Sequence, residues 1–94
     1  MEFLVRIEVD LPPDLGDERL GALIAAERER GRELVEAGHI VRIWRLPGGV
    51  RNVGVWRAGD ATELHELLMS LPTRPWFRTT VEALAVHPLE QADG

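Results

Sequence analysis

Residues 39–56 read HIVRIWRLPGGVRNVGVW, and this stretch decides the fold. Two runs rich in β-branched and aromatic residues, His39–Leu46 and Val50–Trp56, flank Pro47-Gly48-Gly49. Proline and glycine are strong turn formers, so the stretch predicts two strands joined as a hairpin. Upstream of it the apolar spacing turns helical. From Glu18 to Ala37, Leu20, Leu23, Ile24, Leu34 and Val35 share one stripe, with Arg28, Glu29, Arg32, Glu33 and Glu36 on the opposite side and flanks. Asp17 is the expected N-cap and Gly38 the expected left-handed stop. Downstream, Gly59-Asp60 opens a second helix, with Asp60 as N-cap and Glu63 three residues on, an acidic variant of the capping box. Leu64, Leu67, Leu68 and Leu71 form its stripe, and Pro72 closes it.

The outermost segments read as strands. In Glu2–Leu11, residues Phe3, Val5, Ile7, Val9 and Leu11 alternate with Arg6, Glu8 and Asp10, a period of two that argues for one buried face. Pro12-Pro13 ends that run, since proline cannot donate to a ladder. After Pro75, Trp76–Val86 predicts a last strand that stops before Pro88. The order is therefore β-α-β-β-α-β, an α+β, ferredoxin-like arrangement with four antiparallel strands and both helices on one face. Residues 1–88 are expected to form a single domain, and Leu89–Gly94 a loose polar tail.

The chain has 94 residues, of which 45% are hydrophobic and 29% charged, enough apolar surface to fold but only a thin core. The uncovered, tryptophan-bearing sheet of so small a domain predicts self-association. Sixteen acids against eleven bases give a formal charge of −5, which argues against a nucleic-acid surface. No apolar run is long enough to span a membrane, and no basic-then-apolar leader opens the chain; the expectation is a soluble, cytoplasmic protein. Every base is arginine, so lysine Schiff-base chemistry is excluded. Cysteine is absent, which excludes thiolate nucleophiles and zinc–thiolate sites. Proton chemistry falls to carboxylates and to His39, His65 and His87. The histidines have no metal-like spacing with the acids, so neither a metal nor a metal cofactor is expected.

One carboxylate is out of place. Counting about 100° per residue from Leu20, Glu27 falls at about −20° and Gly31 at about +20°, between Leu23 and Ile24. Glu27 thus lies at the centre of the stripe meant for the sheet, and Gly31 leaves space beside it. A bare charge there is very costly, so the side chain either pairs with a sheet arginine such as Arg6 or Arg45, or works as a desolvated base. His65 borders the second helix's stripe. Asn52 stands in a strand where asparagine is disfavoured and aims an amide at the turn or at a ligand. Trp44 and Arg45 are neighbours on one strand and point to opposite faces.

These residues resemble a known family. The opening Phe3-x-Val5-x-Ile7-x-Val9, Leu11-Pro12, Glu27, Gly38, Trp44-Arg45-Leu46, Gly48 and Asn52 match the muconolactone delta-isomerase family in order and spacing. Leu64-His65-x-x-Leu68-Met69-x-Leu71-Pro72-x-x-Pro75 and Leu84-x-x-His87-Pro88 extend the resemblance to nearly the whole chain. It implies a ferredoxin-like subunit that pairs sheet to sheet, with dimers assembling into a ring-shaped decamer. It also implies a cofactor-free reaction of the catechol branch of the β-ketoadipate pathway, in which muconolactone becomes 3-oxoadipate enol-lactone by a 1,3-proton transfer.

In that reading Glu27 is the base, and Asn52 or His65 the donor to the developing enolate oxygen. Arg45 is the cation for the substrate's carboxylate arm, and Trp44 or Trp76 a wall for the ring. One departure stands out: between Pro72 and Pro75 the family usually carries bulky apolar residues, and this chain has Thr73-Arg74. The lack of tyrosine is a smaller one. Two other readings share the fold. One is a different cofactorless enzyme of the ferredoxin-like dimer type, monooxygenase-like or a lactone dehalogenase. The other is a non-catalytic small-molecule-binding subunit in which Glu27 only closes an ion pair.

Overall fold

Phe3, Val5 and Ile7, one side of the alternating opening run, are buried together with Trp56, Leu34, Leu64 and Leu68, and this cluster is the core. The computed structural model describes residues 1–91. The strands are β1 (Glu2–Val9), β2 (Ile40–Leu46), β3 (Arg51–Arg57) and β4 (Phe77–Leu84), and the helices α1 (Asp17–Glu36) and α2 (Ala61–Met69). They form one four-stranded antiparallel sheet in the order β2-β3-β1-β4. The fold is the expected one. Central strands β1 and β3 carry the apolar load because both their edges are paired, and the core-forming residues of both helices lie over them.

The helix ends follow from local chemistry. Gly38, at φ 81°, closes α1: its N–H donates to Val35 O (3.0 Å) and the His39 N–H to Leu34 O (2.9 Å), the paired bonds of a Schellman cap. At α2 the Asp60 carboxylate accepts from the Glu63 N–H (2.8 Å), and Glu63 accepts from the Gly59 N–H (2.8 Å). The other end of α1 differs from expectation. Gly16, at φ 84°, is the N-cap and no side chain caps the helix; Asp17 is instead its first residue, where its charge complements the helix dipole.

The last strand starts one residue later and ends two earlier than its sequence suggests. Pro75 lacks an N–H and favours a tight 3-10 turn over Arg74–Trp76, closed by the Trp76 N–H on Thr73 O (2.9 Å), so Trp76 precedes the strand. The opening strand likewise stops at Val9, and Asp10 then donates to Trp76 O across the chain (2.8 Å). Of the expected tail, Pro88–Gln91 makes a further 3-10 turn, and residues 92–94 lie outside the described residues.

A local irregularity sets β2. The register shifts between Ile40 and Arg42, and a Cβ on Gly54 would sit 2.8 Å from Arg42 O, so only glycine fits at that crossing. Beyond the bulge, Arg45 stands opposite Asn52, Asn52 opposite Ile7, and Ile7 opposite Thr79. Buried Ile7 marks this cross-sheet row as belonging to the helix-covered face.

The stripe of α1 is only partly buried. Leu34 is fully buried, Leu20 and Leu23 are half-buried, and Ile24 and Val35 are exposed. The helix packs tightly near its C-terminal end and leaves a gap over the sheet along its earlier turns. That gap is where the chemistry gathers.

Candidate active site

The gap is a cleft of about 380 Å³. Helix α1 contributes Leu23, Ile24, Glu27 and Arg28; Val9 ends β1 and Leu11 follows two residues beyond it; Arg45, Val50 and Asn52 come from the hairpin, and Thr73 from the loop after α2. The volume lies in the range of small-molecule sites, roughly 300–1,000 Å³. Its walls are mostly aliphatic, with a few polar groups converging on them.

Glu27 is half-buried, and both of its oxygens are hydrogen-bonded to one residue. The Thr73 N–H donates to Oε1 at 3.0 Å and the Thr73 hydroxyl donates to Oε2 at 2.7 Å. Both contacts come from one neutral residue, so the carboxyl group is held without a counter-charge. Neither arginine considered as an ion-pair partner takes that role: Arg6 lies on the other face, 3.8 Å from Glu82, and no ion pair to Glu27 forms among the described residues. Thr73 is itself buried, 5% exposed, and is the one buried polar residue among those described.

Two guanidiniums border the cleft, Arg28 from α1 and Arg45 from β2, and neither makes an ion pair or a side-chain hydrogen bond among the described residues. Asn52, directly across from Arg45, has its Oδ1 buried without a partner. That oxygen is buried and can only accept, so the Nδ2 end of the amide is the one able to donate to a ligand in the cleft. Carboxylate, amide and cations therefore meet in one apolar hollow. Such a set can hold a small anion, take up a proton and stabilise negative charge on oxygen.

Three residues singled out from the sequence lie elsewhere in the single chain. Trp44 faces away from the cleft, beside the Arg42 guanidinium at 4.8 Å from its ring centroid. His65 is exposed on α2, and Trp76 is half-buried in the 3-10 turn; neither lines the cleft. Conversely, Arg28 and Thr73 line it and were not singled out as site residues. Arg28 falls one residue, about 100°, from Glu27 and so reads as a flank. Thr73 sits in a loop where no periodicity operates; its signal was the polar pair Thr73-Arg74 at a place the resemblance reserves for apolar residues.

A second hollow, about 330 Å³ at the end of the sheet, is lined by Arg6, Glu8, Leu46, Arg51 and Arg78 among others. Its one acid, Glu8, is already 3.5 Å from Arg78, so no free base faces it.

Residues 1–90 match the family model of muconolactone delta-isomerase. The chain belongs to the muconolactone delta-isomerase family. The muconolactone delta-isomerase of Rhodococcus opacus is 34% identical over 85 residues, covering 90% of this chain and 91% of that one. The enzyme of the same name from Acinetobacter baylyi is 31% identical over 93 residues, 99% and 97% of the two chains. A crystal structure of muconolactone isomerase superimposes with a TM-score of 0.87 at 33% identity, covering 94% and 92%. A 5-chloro-2-hydroxyhydroquinone dehydrochlorinase from Burkholderia phenoliruptrix shares the fold, with a TM-score of 0.70 at 19% identity.

Proposed function

We propose that this protein is a cofactor-independent isomerase that converts muconolactone to 3-oxoadipate enol-lactone, with Glu27 as the base. The observation that supports this most is the carboxyl group of Glu27, clamped by Thr73 in the wall of a largely apolar cleft that Arg28 and Arg45 border. In the first step the Glu27 carboxylate takes the ring proton from the carbon bearing the carboxymethyl arm. The electron pair of that C–H bond moves into the ring, and charge reaches the lactone carbonyl oxygen as a dienolate. In the second step the carbonyl re-forms, and the proton held by Glu27 returns to the carbon beside it. The double bond has moved, and no atom is gained or lost.

Asn52 is the donor assigned to the dienolate oxygen, through its amide Nδ2 group, since it lines the cleft, whereas His65 does not line it. A donor aimed at such an oxygen is worth about 2.7–4 kcal/mol where water is excluded. Arg45, opposite Asn52, is assigned to the carboxylate arm through its two-pronged guanidinium.

The uncovered sheet face, with Trp44 44% exposed, is assigned to pairing with a second copy, and family resemblance extends this to a ring-shaped decamer. Trp44 and Trp76 then serve as ring walls only across subunits. The place of the reaction is the catechol branch of aromatic catabolism, in the cytoplasm.

The test is an ultraviolet assay of muconolactone turnover with the wild type and Glu27→Gln. The glutamine variant, which keeps the shape and cannot accept the proton, should lose on the order of 10²–10⁴ in kcat. Full activity in the variant removes Glu27 as the base, and an inert wild type removes the substrate.

A further inference from the structure

We infer that Thr73 is the positioning residue of the base: its backbone N–H and its hydroxyl fix the plane of the Glu27 carboxylate against the cleft. The inference rests on the reading of Glu27 as the proton carrier. A glutamate reaches its target through three rotatable bonds, and one hydrogen bond would leave the carboxylate free to swivel about it. Two donors from one residue, at 3.0 and 2.7 Å on different oxygens, remove that freedom. Each carboxylate oxygen offers about two lone-pair directions, so the clamp occupies one on each and leaves one on each for substrate. A base that must collect a proton at one carbon and deliver it to another two bonds away gains from such fixed geometry.

The clamp is rigid on its own side. Thr73 is buried, stands between Pro72 and Pro75, and accepts the Trp76 N–H at its carbonyl (2.9 Å). Its loop is tied to α1 a second time: Arg30, one turn beyond Glu27, donates from Nε to the Ser70 hydroxyl at 2.9 Å, and Ser70 Oγ donates to Leu67 O at 2.6 Å. Glu27 and Arg30 thus grip the loop of residues 70–73 from one face of the helix. The loop in turn fixes where the carboxylate points.

Substitution separates the two donors, because the backbone N–H survives any change of side chain other than proline. Thr73→Val keeps the shape and removes the hydroxyl; Thr73→Ser keeps the hydroxyl. Steady-state kinetics on muconolactone should show kcat of the valine variant reduced roughly tenfold to a hundredfold, the scale for a misplaced catalytic group. KM should stay within about twofold, and the serine variant should recover most of the wild-type kcat. Wild-type kcat in the valine variant overturns the inference, as does a rise in KM alone, or a serine variant as slow as valine. Should the valine variant not fold by circular dichroism, Thr73→Ser against Thr73→Ala, which differ only in the hydroxyl, decides in the same way. An inert wild type overturns the isomerase reading and this inference with it; an active wild type with an unaffected valine variant overturns this inference alone.

Discussion

Replacing Glu27 in two ways should separate its role in folding from its role in the cleft. In Glu27→Gln the amide oxygen still accepts the Thr73 N–H, and the amide NH₂ donates to the Thr73 hydroxyl, which turns round to accept. Both contacts persist with one reversed in sense. What is lost is the charge assistance, about 1 kcal/mol for each bond before screening and about 1 kcal/mol for the pair once water in the half-open cleft is allowed for. In Glu27→Ala both contacts vanish and two donors of a residue 5% exposed are left without a partner. At about 1–3 kcal/mol for each orphaned group, less what water entering the half-open cleft restores, the loss is about 2–4 kcal/mol. For a domain of this size each kcal/mol moves Tm by about 4–8 °C, so the alanine variant should melt roughly 10–25 °C lower and the glutamine variant no more than about 8 °C lower. Thermal melts by circular dichroism, at one protomer concentration so that self-association is held constant, measure both. Equal destabilisation by the two substitutions, or none by alanine, would refute the clamp as a structural contact.

Three further outcomes follow from the same geometry. Arg45→Gln, which removes the guanidinium facing Asn52, should raise KM for muconolactone by roughly ten- to a hundredfold, the worth of a charged hydrogen bond of about 1.5–3 kcal/mol, with a smaller change in kcat. Asn52→Leu should lower kcat about a hundredfold while His65→Leu, on the exposed side of α2, leaves it within about threefold; the opposite ranking would move the oxyanion donor to His65. Gly31→Ala should raise stability by about 0.5–1 kcal/mol in a urea titration, because an added Cβ meets nothing within 4 Å and glycine weakens a helix interior.

Most of the fold was legible because it is written in local repeats. The two-residue alternation of Phe3, Val5 and Ile7 reports a buried strand face directly, and Gly38 and Asp60 act through bonds to residues three to five positions away. The misses lie where two local rules compete. At the start of α1 an acid and a glycine both qualify as caps, and the positive φ at that position selects Gly16 over Asp17. At the start of β4, proline draws Trp76 into a turn before the strand begins.

The site was half legible for a different reason. Helical periodicity names the direction in which Glu27 points, and it points where the stripe said. It does not report how far away the sheet is. Only the later turns of the stripe, around Leu34, reach the core; at Leu23, Ile24 and Glu27 the same stripe lines a cleft. The gap explains how a carboxylate is tolerated there at all. Were α1 seated on the sheet along its whole length, Glu27 would meet aliphatic side chains and need a buried counter-charge. Lifted away, it needs only a partner at the cleft's rim, and Thr73, 46 residues distant in sequence, supplies two donors without neutralising the charge. An arginine in that place would satisfy the carboxylate as well but would draw off the negative charge that a base requires. A hydrogen-bonding clamp built from a neutral residue holds the carboxyl group in the cleft wall without pairing it with a cation.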